Sequence, residues 1–169
     1  MRIQLSNRAI LRISGADAES FLQAQLSNDI NLLSDDIIQL NAFCQHQGKI
    51  IALFWLMRSK GNYLLSFPAD LLETVITRLQ MFVIMSDVSI ENISDQVLQI
   101  GLINENHSEA YSINDNLSLL IEYNQEKNIE FNSHYDHWAM ACINSQIPEV
   151  FLNTSEKLVP QMLNLDVNE

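Results

Sequence analysis

An uninterrupted apolar run at residues 50–57 restricts the fold of this chain more than any other feature. It is far shorter than the roughly 20 apolar residues that a membrane-spanning helix needs. The pattern indicates a strand at residues 49–58, preceded by a strand-like run at 37–45 and followed by another at 62–67, with a turn around Gly48. The sequence therefore predicts a meander of strands at the centre of the chain.

Helical spacing on both sides of this meander predicts a mixed α+β order. A strand at residues 9–14 precedes a helix whose apolar face is Ala18, Phe21, Leu22 and Leu26. Pro68 can open a second helix with an apolar stripe of Leu71, Leu72, Val75, Ile76 and Leu79. Strands are predicted at 88–93, 97–103 and 117–123. A last helix at 133–144 is expected to bury Trp138 and Ile143.

The charge of the chain is unevenly distributed. The formal net charge is −12, from 9 basic and 21 acidic residues, while residues 1–78 hold seven of each sign. The whole excess of acid thus follows residue 78, and an anionic ligand is expected to meet the first half. Direct binding of nucleic acid is disfavoured, because phosphate neutralisation needs clustered Lys and Arg.

Composition and the start of the chain favour a globular cytoplasmic protein. Apolar residues make up 47% and charged residues 18%, too apolar for disorder. No membrane span and no signal peptide is predicted. Cys44 and Cys142 lie 98 positions apart without a CxxC motif, so reduced, structural thiols are expected, and no disulfide framework or metal site.

Several small constellations have an ordinary interpretation beside a functional one. His134 and His137 have the spacing of a metal-binding pair, but no third ligand is evident, so two polar-face histidines are favoured. The pair at residues 35–36 is interpreted as solvated carboxylates and not as a catalytic couple. Cys44 and His46 would share one side of a strand, yet without an orienting group a structural cysteine is favoured.

Two further features stay open on the residues alone. Asn28 and Asp29 at the end of the first helix either stop that helix or offer amide and carboxylate groups to a heterocycle. Trp138 is either a core anchor of an amphipathic helix or a stacking platform for an aromatic ligand.

Four longer strings carry a specific resemblance: ISGADAESFLQAQLSNDI, FCQHQGKIIALFWLMR, LQMFVIMSDVSI and SQIPEVFLNTSEKLVPQMLNL. In this order and spacing the chain resembles the YgfZ family of folate-binding proteins, which is related to the aminomethyltransferase of the glycine cleavage system. The first string matches the pattern SGxDaxxFLQgQlTnD, with Ala24 in place of a glycine. The last matches GIP…F.PQ..NLD through Ile147, Pro148, Pro160, Gln161, Asn164, Leu165 and Asp166, with Gln146 in place of the glycine.

The resemblance implies a tetrahydrofolate-binding protein that supports maturation or repair of iron–sulfur enzymes. Through one such client enzyme it would act indirectly on the thiomethyl modification of tRNA. The implied folate contacts are Trp138, Arg8, Asn28, Asp29, Lys49 and Gln161. Arg8 stands where the family has a second Trp, and its planar cation could stack on a pterin or pair with folate carboxylates. No metal and no catalytic residue is assigned.

Departures from the family pattern favour binding over catalysis. Aminomethyltransferases carry acidic residues after the turn that matches Gly48, whereas this chain has Ala52 and Leu53 there. The motif KGCYxGQE is also missing before the chain stops at Glu169, so the sequence resembles an N-terminal portion without the C-terminal barrel. A folate-dependent aminomethyltransferase and a truncated scaffold without ligand remain the alternatives.

The resemblance also implies how the chain is divided. We expect an α+β fold of two interleaved subdomains, residues 1–45 with 135–169 in one and residues 46–134 in a ferredoxin-like second. The folate would lie between them.

Overall fold

The structure is a computed structural model that describes residues 1–123 and 128–165. Within these residues, nine strands form two antiparallel sheets, and three α-helices pack on them. The predicted α+β class is confirmed.

The larger sheet has five strands in the order β3-β4-β5-β2-β6. Their bounds are Arg8–Ser14 for β2, Gln39–Cys44 for β3, Ile50–Ser59 for β4, Asn62–Pro68 for β5 and Ser89–Asn92 for β6. The apolar run is the inner part of β4, where every side chain from Ile50 to Met57 is buried. Such a run fits a strand with both faces covered.

The smaller sheet has four strands in the order β1-β7-β9-β8. These are Arg2–Gln4 (β1), Leu98–Ile103 (β7), Tyr111–Ser112 (β8) and Leu117–Glu122 (β9). Strands β7 and β9 were predicted. The sequence did not predict β1 and β8, because two or three residues are too few to show a period.

The three helices each bury one apolar stripe. Helix α1 (Ala18–Gln25) buries Ala18, Phe21 and Leu22, and α2 (Leu72–Gln80) buries Val75 and Leu79 after a 3₁₀ turn at Ala69–Leu71. The turn before α1 requires Gly15: its φ is +113°, and a Cβ there would lie 2.0 Å from the carbonyl oxygen of Asp87.

Helix α3 (Tyr135–Asn144) shows where the predicted core was partly wrong. Trp138 is buried as expected, but its partner on the inner face is Cys142, and Ile143 is 67% exposed. Residues four positions apart share a helix face, whereas Ile143 lies about 100° further round.

The predicted division into two subdomains stays a prediction. Its boundary at residue 45 lies between two strands that pair with each other in the larger sheet. Strands β3 and β4, on the two sides of residue 45, pair from Gln39–Leu56 to Cys44–Ile50. Strand β1 pairs with β7 in the smaller sheet.

In the described part of the chain, no helix is long and apolar enough to cross a bilayer.

Helix α3 packs against the backbone of β7 at Gly101. A Cβ on Gly101 would lie 2.5 Å from Cε3 of Trp138, closer than carbon atoms approach without displacement. We therefore expect Gly101→Ala to lower the free energy of unfolding by about 1–3 kcal/mol, the usual cost of overpacking a core. Urea unfolding followed by tryptophan fluorescence measures this change. Ser118→Ala, on the neighbouring strand, is the control with an expected change below about 0.5 kcal/mol; equal stability of Gly101→Ala and wild type would contradict the packing.

Candidate functional site

A buried guanidinium, that of Arg8, lies where the two sheets meet. Its side chain is 2% exposed and pairs with the carboxylate of Glu149. Its Nε donates to Ser66 Oγ at 2.9 Å, and its Cζ lies 3.6 Å from the centroid of the Trp55 ring. The cation thus has a carboxylate, a hydroxyl and an aromatic face as partners.

Gln99 closes this network from the smaller sheet. Ser66 Oγ donates to Gln99 Oε1 at 2.6 Å, and Gln99 Nε2 donates to the carbonyl oxygen of Arg8 at 3.0 Å. We call Arg8, Ser66, Gln99 and Glu149 the Arg8 cluster. It connects β2, β5, β7 and the chain that follows α3.

The two tryptophans form an edge-to-face pair beside this cluster. The ring centroids of Trp55 and Trp138 are 5.9 Å apart at an interplanar angle of 67°. Trp138 has no exposed surface, and its Nε1 has no hydrogen-bond partner among the described residues. In this arrangement the side chains of Arg8 and Trp138 are both buried. Arg8 also lines, together with Gln99, a partly enclosed cavity of ≈440 Å³. That Arg8 and Trp138 contact folate stays a prediction.

Burial changes the proton affinities of this region. Desolvation lowers the pKa of Arg8, and the nearby carboxylate of Glu149 opposes that change. Burial, together with the charge of Glu149, raises the pKa of the Cys142 thiol to about 12. Burial also raises the pKa of the half-buried Cys44 thiol. Both thiols therefore remain protonated near neutral pH, in agreement with the structural interpretation.

Residues 145–165, which we call the C-terminal segment, run over the larger sheet after α3. Val150 is fully buried in the core, and the N–H of Leu152 donates to the Asp70 carboxylate at 3.0 Å. The N–H of Glu156 donates to the carbonyl oxygen of Ile50 at 2.7 Å. The segment ends in a 3₁₀ turn at Pro160–Leu163. It contains the whole of the last family-like string. Asp166, the last residue of the matching pattern, lies outside the described residues.

A Schellman turn starts the C-terminal segment. The N–H of Ile147 donates to the carbonyl oxygen of Cys142 at 2.9 Å, and the N–H of Gln146 donates to that of Ile143 at 3.0 Å. Gln146 has a φ of +56°, the left-handed conformation in which glycine is favoured. The glycine of the family pattern at this position thus has a conformational reason.

A partly enclosed cavity of ≈390 Å³ lies between this turn, β3 and the end of the segment. We call it the Leu40 cavity. Its lining combines apolar and amide or hydroxyl side chains: Leu40, Ser145, Gln146, Ile147, Pro148, Leu163, Asn164 and Leu165. Its volume falls within the range of small-molecule sites.

Asn28 and Asp29 support the strand that forms one wall of this cavity. The Asn28 side-chain amide donates to the carbonyl oxygen of Leu40 at 2.6 Å, and its backbone N–H donates to Asn41 Oδ1 at 3.0 Å. Ser27 exchanges two hydrogen bonds with Ala42 on the same edge. Asp29 caps a 3₁₀ turn at Ile30–Leu32. Both side chains are thus bonded within the chain, Asn28 to β3 and Asp29 to Asn31. That the pair offers its groups to a heterocycle stays a prediction.

The hairpin of β3 and β4 contacts the C-terminal segment near two of the predicted residues, Lys49 in the hairpin and Gln161 in the segment. Both are exposed. The N–H of Ile50, next to Lys49, donates to the carbonyl oxygen of Leu158 at 2.8 Å, three residues before Gln161. Of the six predicted contacts, Asn28 bonds to Leu40 of the cavity wall and Gln161 lies two residues before the lining residue Leu163. Lys49 lies at the opposite end of β3, where Cys44 pairs with Ile50. Arg8 and Trp138 are buried.

The other candidate groups do not converge. His137 Nδ1 lies 2.9 Å from Ser133 Oγ, and His46 is exposed. Asp35 and Asp36 are exposed as predicted. Within residues 1–123 and 128–165, no group of three His, Cys, Asp or Glu side chains has an arrangement that could hold a metal ion.

Sequence reasoning missed the partners of Arg8. Glu149 is 141 positions away, and nothing in its own neighbourhood indicates an ion pair. One available indication was Arg8 itself, which directly precedes an apolar strand and must be partnered if that strand is buried. Gln99, between apolar residues of β7, carried the same indication.

Comparisons with known proteins identify the fold. No family model matches the chain. An uncharacterized protein of Haemophilus influenzae is 30% identical over 175 residues, which cover 99% of this chain and 61% of that protein. The tRNA-modifying protein YgfZ of Colwellia psychrerythraea is 23% identical over 194 residues, 96% of this chain and 60% of its own. The crystal structure of the glycine cleavage system aminomethyltransferase T from Bartonella henselae covers 59% of this chain and 27% of its own, with a TM-score of 0.54 and 15% identity.

The fold is therefore of the aminomethyltransferase type. The chain is similar in sequence to tRNA-modifying proteins YgfZ and in fold to an aminomethyltransferase, which agrees with the resemblance that its four sequence strings indicated. The Haemophilus and Colwellia proteins both match almost the whole of this chain. The chain spans only about three fifths of their own length, 61% of the Haemophilus protein and 60% of the Colwellia protein.

The left-handed backbone at Gln146 gives a stability prediction. Gln146→Gly removes a side chain from a conformation that disfavours it, so the free energy of unfolding should rise by about 1 kcal/mol. Gln146→Ala retains the Cβ and is the control that should show no gain. Urea unfolding measures both. A loss of stability in Gln146→Gly would contradict the assignment of this turn.

The raised thiol pKa values predict slow alkylation. Only the thiolate reacts, so the native rate at Cys142 should rise about tenfold per pH unit toward its pKa of about 12, and remain low at pH 8. Iodoacetamide labelling followed by peptide mass spectrometry measures the rate at each cysteine. The denatured chain is the control, with ordinary reactivity at both sites; rapid native labelling of Cys142 at pH 8 would show that it is not buried.

Proposed function

We propose that the protein binds tetrahydrofolate in the Leu40 cavity and thereby supports maturation or repair of iron–sulfur enzymes. The main support for this proposal is the lining of the cavity. The cavity is lined by residues of the closing family-like string, and its β3 wall is held by Asn28 of the first string. Thiomethyl modification of tRNA would depend on it indirectly, through a client enzyme. The sequence similarity to tRNA-modifying proteins YgfZ supports this link.

The lining of the cavity suits a flat heterocycle with polar edges. Leu40 and Ile147 supply apolar surface for the faces of a pterin ring. Ser145, Gln146 and Asn164 supply hydroxyl and amide groups, which can both donate and accept hydrogen bonds at the ring edge.

The charge distribution supports binding of the anionic folate tail near Lys49. The tail ends in carboxylates, and residues 1–78 are electrically balanced, whereas the later residues hold 14 acidic and two basic groups. Lys49 is exposed next to the contact of Ile50 with the C-terminal segment. Lys157, in the same segment, adds a second cation nearby along the chain. A carboxylate is attracted to such a position and repelled by most of the remaining surface.

Binding without group transfer is favoured over aminomethyl transfer. Ala52 and Leu53 replace the acidic residues of the transferase pattern, and both are buried within β4. An apolar buried side chain can neither act as a base nor stabilise a developing cation.

A cavity-filling variant tests folate binding. Isothermal titration calorimetry of the wild type with tetrahydrofolate should show a saturable heat. Ser145→Trp should weaken the affinity by about tenfold or more, because the indole occupies the volume of the ligand. Ser108→Trp, in a separate surface cavity formed by residues between Glu105 and Ser118, is the matched control and should bind as the wild type does.

The same variants test the link to iron–sulfur enzymes. In a strain that lacks the gene, the wild type and Ser108→Trp should restore thiomethylated nucleosides in tRNA hydrolysates, and Ser145→Trp should not. Absence of heat with the wild type would reject folate binding. Equal restoration by Ser145→Trp would separate the cellular role from the cavity.

A further inference from the structure

We propose that Arg8 is a positioning residue: through Glu149 it holds the C-terminal segment in the place where that segment forms the wall of the Leu40 cavity. This inference rests on the proposed function. It differs from the expectation in which Arg8 touches folate, and it gives the buried cation a role in binding that needs no contact with the ligand.

The first step is the position of Glu149 in the chain. It directly follows Pro148, a lining residue of the cavity, and directly precedes Val150, which is fully buried in the core. The carboxylate is 15% exposed and contacts Arg8, while its second oxygen lies 3.5 Å from the hydroxyl of Tyr135 on α3. Glu149 is therefore a fixed point immediately beside the cavity wall.

The second step is the rigidity of Arg8. Three independent contacts hold its guanidinium: the Glu149 carboxylate, the Ser66 hydroxyl and the face of Trp55. A planar guanidinium that bonds in several directions has one allowed orientation, and a flexible ammonium would not. The position of the Glu149 carboxylate is thus set by β2, β4 and β5 of the larger sheet.

The third step concerns two other polar side-chain contacts of the segment, at Leu152 and Glu156, which lie further along the chain from Pro148. Leu152 bonds to the exposed carboxylate of Asp70, and Glu156 pairs with Arg78, where both side chains are 42% exposed. Exposed pairs of this kind hold a backbone weakly. Of these three contacts, the Arg8–Glu149 pair is the buried one, and Glu149 directly follows Pro148 in the chain.

The experiment removes both charges together. A single substitution leaves a buried charge without a partner and can unfold the protein, whereas replacing both partners by apolar groups is often tolerated. The double variant Arg8→Met with Glu149→Leu is therefore compared with the wild type by amide hydrogen exchange and by tetrahydrofolate titration. Arg12→Met is the matched control, since Arg12 lies on the same strand and pairs with the exposed Glu91.

We expect a local effect in the double variant. Exchange at the amides of Ile147 and Leu152 should become about tenfold faster, while the β2–β5 ladder should keep its protection. The affinity for tetrahydrofolate should fall about tenfold although no lining residue has changed. Arg12→Met should alter neither quantity. Wild-type exchange and affinity in the double variant would overturn the proposal, and so would faster exchange of equal size in both regions.

A second variant covers the case in which the double variant does not fold. Glu149→Gln keeps the size of the side chain and removes its charge. The amide oxygen can still accept a hydrogen bond from Arg8, so the buried cation keeps a polar partner. It should raise exchange at Ile147 and Leu152 by a smaller factor, about threefold. Unchanged exchange there would overturn the proposal. If the wild type binds no tetrahydrofolate, the proposed function fails, while the exchange measurements still decide whether Arg8 holds the segment.

Discussion

The cation of Arg8 cannot return to water in the folded protein, and the structure around it is arranged to satisfy it. Burying a charge without partners costs more free energy than a domain of this size can supply. The partners come from elements that are distant in sequence. Ser66 lies on β5, and Glu149 follows α3. Gln99 on β7 joins the network through its hydrogen bond with Ser66. The correct register of these strands and the path of the C-terminal segment are therefore linked to one desolvated group. Aromatic packing adds to this link. The guanidinium lies over the Trp55 ring, and Trp55 packs edge to face against Trp138.

Local pattern was sufficient for most of the elements and for the fold class. The runs that became β2 to β5 are rich in apolar residues because these strands lie in the core. The stripes of α1 and α2 carry a helical period because each helix buries one side against that core. The family-like strings extended this to the aminomethyltransferase type of fold. The short strands β1 and β8 were missed because their pairing depends on neighbours that only the folded chain provides. Ile143 was assigned to the core for its apolar character, although the inner face of α3 is set by Trp138 and Cys142.

The candidate site was less accessible to sequence reasoning, for a physical reason. Whether a tryptophan stacks on a ligand or fills a core depends on what covers it, and for Trp138 the cover includes Gly101, a residue without a side chain. Likewise, Arg8 has the chemistry to bind a carboxylate, and it does bind one, but that carboxylate belongs to Glu149 of the same chain. The residue types were read correctly as groups that meet anions and aromatic rings. Their partners could not be named, because a separation of 141 positions leaves no local trace.

The cap that Ser27 and Asn28 place on β3 has a consequence for the behaviour of the protein in concentrated solution. Strand β3 is the outermost strand of its sheet, and a bare outer strand offers free N–H and C=O groups to any other chain. Here Ala42, Leu40 and Asn41 already bond to residues of the same molecule. The edge is thereby closed to strand addition from a neighbouring molecule, so the same few polar residues that follow α1 also protect this edge from aggregation.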